Sequence, residues 1–151
     1  MATGNLKTYL NNQGVEFTTI NHPEAYTAME VAQLAHVRGK DMAKSVVIRV
    51  DGRLAMAVLP ATQRVHVRRL RKATGATRVE IAREHDFEGD FPDCELGAMP
   101  PFGNLYGMEV YVDPHLAEDD EIAFNAGSHT ELVKVHYRDF ERLAKPKPLA
   151  M

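Results

Sequence analysis

Apolar positions along this chain recur with two periods, and the switches between them mark out its elements. Leu6, Tyr9 and Leu10 stand at helical spacing with Gly14 as a C-cap, which predicts a short opening helix. Val15, Phe17 and Thr19 then alternate as in a strand. Thr27-Ala-Met-Glu30 carries a hydroxyl followed three residues later by a carboxylate, the pattern of a capping box, and Val31, Leu34 and Ala35 give the helix that follows an apolar side. Ser45–Val50 and Arg53–Leu59 flank Asp51-Gly52, the pair that supplies the positive φ angles of a tight hairpin turn. Val65–Ala73 reads as a helix with Val67 and Leu70 inward and its arginines outward, closed near Gly75. Val79–His85 reads as another short helix. Glu109–Asp113, Glu121–Phe124 and Glu131–His136 read as strands, and Tyr137–Ala144 as a closing helix.

Strands and short helices therefore mix without a βαβ rhythm. The pattern predicts an α+β domain with a mixed central sheet and short flanking helices, not a doubly wound fold. No repeat, low-complexity tract or linker interrupts it, so residues 1–144 read as one compact domain. Residues 145–151 read as a loose tail, because Pro146 and Pro148 oppose regular structure.

Composition narrows the setting. The 151 residues are 44% hydrophobic and 26% charged, ordinary for a globular chain, and no apolar run reaches bilayer length. The first residues, MATGNLKTYL, lack the pattern of a secretory signal, and the lone Cys94 forms no internal disulfide. The expectation is a cytoplasmic protein with no membrane partner. With 18 basic and 21 acidic residues the net charge is −3, which argues against a generic polyanion binder and against DNA as a partner. Yet Arg64, Arg68, Arg69, Arg71, Lys72 and Arg78 fall close together, while acids gather at Glu118–Glu121. The basic cluster is either a solvated helix face or a small nucleic-acid contact.

Most familiar chemistries leave no trace. The seven histidines show no HExxH spacing, there is no CxxC, and no metal site or cofactor is expected. There is no GxSxG elbow and no Walker loop; Gly103–Gly107 lacks the dinucleotide fingerprint.

Three segments remain. Lys44 stands at the entrance of the apolar strand 43–48, either snorkelling to water or fixed as a cation facing a pocket. Gly97-Ala98-Met99-Pro100-Pro101-Phe102-Gly103 brackets two prolines with glycines, either a rigid connector or a loop holding amides ready for a carbonyl. Gly127-Ser128-His129 ends a strand in a small-residue turn, a common place for site residues as well as for a simple hydrogen-bonding histidine.

Taken together and in this order, these segments resemble the YbaK / prolyl-tRNA-synthetase-associated domain family, over nearly the whole chain from His22-Pro23 to the closing helix. The resemblance implies a metal-independent hydrolase that cleaves the ester of mischarged aminoacyl-tRNA, acting on the tRNA acceptor end, with an aminoacyl-tRNA synthetase as a further possible partner. By resemblance, Lys44 is the functional lysine and Gly97–Pro101 the GxxxP loop, while Gly127, Ser128 and His129 line the same pocket, joined by His22. The amides of Gly97, Ala98 and Met99 would orient the carbonyl or a water; Pro100, in a variable position of the motif, has no N–H to offer. Met99, Pro101 and Phe102 would limit side-chain size, which implies a small amino acid such as alanine, cysteine or serine. Arg68, Arg69, Arg71 and Lys72 would contact the acceptor stem. The same fold acting as a non-catalytic tRNA- or synthetase-binding module is the alternative.

Overall fold

The Asp51-Gly52 pair makes the turn its sequence calls for, with φ of 46° and 85°. It joins β2 (Ala43–Val50) to β3 (Arg53–Pro60), after α1 (Ala2–Asn12), β1 (Phe17–Asn21) and α2 (Ala28–Leu34). There follow α3 (Val67–Thr74), β4 (Val79–Ile81), α4 (Glu84–Phe87), β5 (Glu109–Val112), β6 (Glu121–Asn125), β7 (Glu131–His136), α5 (Tyr137–Ala144) and β8 (Lys147–Pro148). The structure, a computed structural model, describes residues 2–151.

The strands form two sheets where one was expected. A five-stranded sheet of order β4-β2-β3-β5-β8 is mixed: β4, β2 and β3 run antiparallel, whereas β5 pairs parallel with both β3 and β8. An antiparallel sheet of order β1-β7-β6 lies beside it, and a parallel bridge between Met42 and Ala123 joins the two. The α+β class with short flanking helices holds.

Strand alternation divides the interior. One face of the joined sheets carries Ala43, Val47, Met56, Val58, Val110, Ile122 and Phe124, which meet Leu6 and Leu10 of α1 and Phe140 of α5 in the main core. The other face carries two smaller cores. Ile48, Ala57 and Leu59 pack under Leu70 of α3, and Met42, Ala123 and Leu132 pack under Val31 and Ala32 of α2. The Thr27–Glu30 capping box is present at the start of α2, and Gly75 closes α3 at φ 72°.

Two expectations are corrected. Val79–His85 is not one helix: Val79, Glu80 and Ile81 pair with Val50, Arg49 and Ile48 at the edge of β2, and helix begins only at Glu84. The edge of β2 offers these residues backbone partners that a local helix reading does not weigh. Residues 145–151 are not loose either. Lys145 turns the chain at φ 47°, β8 pairs with β5, the Leu149 amide donates to the Val112 carbonyl, and Met151 is buried in the core under α3. A proline pair blocks a helix but tolerates an edge strand. Among the described residues no helix is long and apolar enough to cross a membrane.

Candidate active site

The turn between β6 and β7 is the anchor. Gly127 takes a φ of 97°, which lets its amide donate to the Ala98 carbonyl at 2.9 Å while its own carbonyl accepts from the Glu95 amide at 2.8 Å. These two bonds fasten the glycine–proline loop to the turn. His129, buried, adds a third: its Nε2 donates to the Leu96 carbonyl at 2.9 Å. A carbonyl can only accept, so in the neutral ring Nδ1 is left as the acceptor. Gly97, at φ 86°, passes so near that a Cβ there would lie 3.5 Å from His129 Cε1.

The segment after β1 closes the cluster from a third side. The His22 amide donates to the Thr130 carbonyl and the Ala25 amide to the His129 carbonyl, at 2.9 and 3.3 Å. His22 Nδ1 donates to the Pro23 carbonyl at 2.8 Å, leaving Nε2 buried with no partner among the described residues. The Tyr26 ring lies 4.7 Å from that of His129, centroid to centroid, yet Tyr26 is 64% exposed and its hydroxyl donates to Glu24. Tyr26 therefore presents a free aromatic face at the rim. Ser128 is half-buried, with its Oγ 3.4 Å from Thr130 Oγ1.

Lys44 reaches this region through strand register. Continuing the parallel bridge from Met42 and Ala123 by two residues sets Lys44 level with Asn125, two residues before Gly127. Met42 and Ala123 belong to the core under α2, whereas Ala43 and Phe124 belong to the main core. By alternation Lys44 and Asn125 face the α2 side together. Lys44 is half-buried and has no carboxylate within ion-pair distance among the described residues. Its pKa is lowered, first by lost hydration and then by the charge of Arg64. Asn125 Oδ1 and, on the opposite side of β2, Ser45 Oγ are buried without partners among the described residues.

The loop itself differs from expectation in two ways. Its amides are not all open: Gly97 N–H donates to Met99 Sδ at 3.2 Å and Ala98 N–H to the Glu95 carbonyl at 3.1 Å. The positive φ of Gly97 curls the loop so that these donors turn inward, and of the three only the Met99 amide finds no acceptor among the described residues. Nor is Phe102 a pocket wall. It is wholly buried, with edge-on contacts to Tyr9, Phe124 and Phe140 at 6.0, 5.6 and 5.7 Å. Met99 is buried in the same core, and Pro101 is buried beside it.

The structure thus links Gly97, Ala98, Gly127 and His129 through direct contacts, ties His22 and Ala25 to Thr130 and His129, and sets Lys44 level with Asn125 by register. Phe102 belongs to the core. Arg68, Arg69, Arg71 and Lys72 are all exposed on α3. Tyr26, Ser45 and Asn125 were not singled out by sequence reasoning. The capping-box spacing hints that Tyr26 flanks α2, but nothing local marks Asn125 or Ser45.

A thiol nucleophile finds little footing. Burial pushes the Cys94 thiol up to about 11, although Tyr106 beside it, at 3.2 Å, counters this in part. A protonated buried thiol is a poor nucleophile at neutral pH. Among the described residues no three His, Cys, Asp or Glu side chains are grouped to hold a metal ion.

Comparison with known proteins gives the family. The model of the aminoacyl-tRNA editing domain matches residues 22–143. The Multifunctional Ser/Thr-tRNA deacylase ProXp-y of Escherichia coli (strain K12) is 29% identical over 143 residues, covering 91% of this chain and 85% of that one. The proline–tRNA ligase of Bacillus cereus (strain AH187) is 25% identical over 95 residues, 63% of this chain but only 17% of the ligase. In fold, the chain is similar to the crystal structure of a candidate trans-editing enzyme for prolyl tRNA synthetase, with a TM-score of 0.86 at 16% identity over 99% of this chain and 95% of that one. A match that spans the cluster, β2 to β7, α2 to α4 and nearly all of α5 places the chain in the aminoacyl-tRNA editing domain family.

Proposed function

We propose that this protein hydrolyses the ester between a misattached amino acid and the terminal ribose of tRNA, acting in trans on the free acceptor end. The observation that carries the reading is the convergence of the 22–26 segment, the loop at 97 and the turn at 127–129 beside Lys44, within an editing-family chain.

The ester is already activated, so no protein nucleophile is needed. A water adds to the carbonyl carbon, the tetrahedral oxyanion collapses, the bond to the ribose oxygen breaks, and that oxygen takes up the proton lost by the water. Products are free amino acid and uncharged tRNA. Lys44, held partly out of water, stabilises the developing oxyanion more strongly than an exposed cation would. The Met99 amide, which has no acceptor among the described residues, is the loop donor left to serve the same oxygen. Nε2 of His22 and Nδ1 of His129 are acceptors suited to orienting the attacking water or the α-amino group. Gly97 holds a φ of 86° that a side chain would strain, and so keeps the loop curled beside His129 at the proposed site.

Alanine, cysteine and serine are the class proposed, and serine is shared with the name of the E. coli relative. The test is a panel of purified tRNAs charged with alanine, cysteine, serine, threonine and a bulky amino acid, with and without prolyl-tRNA synthetase. Release of a small amino acid, with the bulky ester spared, is the expected outcome. Tight tRNA binding with every ester intact would instead identify a non-catalytic binding module.

A further inference from the structure

The basic helix looks uniform in sequence, but the fold sorts its cations. A cavity of about 580 Å³ lies between the start of α3, the 113–115 turn and the chain end at Met151. Arg64, His66, Arg69 and His115 line it; Arg68, Arg71 and Lys72 do not. The one acidic side chain in its wall, Asp113, is almost fully buried and is held by His115, whose Nδ1 approaches to 2.6 Å and whose amide donates at 2.8 Å. That carboxylate is thus answered within the groove and does not cancel the arginines. The chain itself connects the groove to the site: Lys44 pairs with Leu59, the Ala61 amide donates to the Met42 carbonyl, and the next residues, Thr62 to Arg64, line the groove.

The alternative route away from Lys44, past the Met42–Ala123 bridge, leads to a cavity of about 410 Å³ with the opposite character. There five carboxylates, Asp41, Glu118, Asp119, Asp120 and Glu121, face three cations. A polyphosphate chain leaving Lys44 is repelled on that side and attracted on the other.

We infer that the groove lined by Arg64, Arg69 and His115 seats the phosphodiester backbone of the RNA acceptor strand, leading its 3′ end to Lys44. This rests on the proposed deacylation for the position of the 3′ end, but the groove is read by RNA binding alone. Arg69 and His115 are positioning residues. They act on where the RNA lies and leave the reacting carbonyl untouched.

The test measures the affinity of the full chain for uncharged tRNA as a function of salt, for the wild type and for Arg69→Gln, His115→Gln and Arg138→Gln. Arg138 is exposed on α5, away from the groove, and serves as the charge-matched control. Removing Arg69 is expected to flatten the log–log salt slope by about 0.7–0.9, the value of one phosphate contact. His115→Gln flattens it less, Arg138→Gln leaves it unchanged, and Arg69→Lys restores it. In deacylation the Arg69 variant raises KM for tRNA with kcat retained. An unchanged slope in Arg69→Gln, or equal flattening by Arg138→Gln, overturns the assignment. So does a wild type that binds inorganic phosphate but no tRNA, which would mark a small-anion site. If the wild type binds tRNA with this slope pattern but hydrolyses no ester, the groove stands and the deacylase reading falls.

Discussion

Lys44→Ala is expected to lower kcat/KM for aminoacyl-tRNA deacylation by at least ~100-fold, the scale of removing one oriented charge from a developing oxyanion. The fold should survive. Lys44 is half-buried without an acidic partner among the described residues, and its lowered pKa means that the fold disfavours the charged form. The sign follows from linkage. Between the lowered pKa of the folded state and the ordinary one of the unfolded chain, the unfolded state binds more protons, so stability rises with pH across that window. Lys44→Met removes a desolvated charge, so it should match or exceed the wild type in stability while losing activity, and its stability should lack that alkaline rise. Lys44→Arg keeps the charge but spreads it over a planar fork, and is not expected to rescue the rate. Activity of the wild type should decline at high pH as the ammonium is lost, at a lower pH than an exposed lysine would give. The measurements are single-turnover deacylation across pH and urea unfolding of each variant. Near-normal turnover by Lys44→Ala would remove Lys44 from the reaction.

Phe102→Ala carries the largest expected effect on stability, about 3–5 kcal/mol for emptying an aromatic site in a packed core. Phe102 is wholly buried and touches Tyr9, Phe124 and Phe140, so its removal opens a gap between α1, β6 and α5 together. For a chain of this size each kcal/mol lowers Tm by roughly 2–4 °C, so a fall of about 10 °C is expected. The residual folded protein should keep the wild-type preference among amino acids, because the ring lines the core and not the substrate. Calorimetry with the charged-tRNA panel checks both statements. An unchanged Tm with an altered amino-acid preference would return Phe102 to the pocket wall.

These two residues also show what the sequence disclosed and what it withheld. Features fixed by neighbours along the chain were readable. Asp51-Gly52 adopts the turn its residue types favour, the Thr27–Glu30 box starts α2, and Gly75 ends α3. Features fixed by distant partners were not. Val79–Ile81 becomes a strand because Ile48–Val50 offers it an edge, and the tail docks because β5 offers another. The site follows the same division. Lys44, the glycine–proline loop and the Gly-Ser-His turn carry unusual residue types and could be picked out one by one. Whether Phe102 faces substrate or core, and which loop amides are already bonded, depends on how α1, β6 and α5 close around the loop. Asn125 owes its place to the Met42–Ala123 bridge, which no local pattern encodes. Arg69 differs from Arg68 only through the 113–115 turn and the chain end that wall one side of the groove.

The most direct test of the shared site is a crystal structure of the protein with an adenosine whose 3′ position carries an amino acid through an amide, which resists hydrolysis. The aminoacyl carbonyl should lie within hydrogen-bond reach of Lys44 Nζ, with the amino-acid side chain against Gly97 and His129. A ligand found instead in the cavity walled by Arg53, Tyr106 and Tyr111, with Lys44 and His129 untouched, would contradict the account.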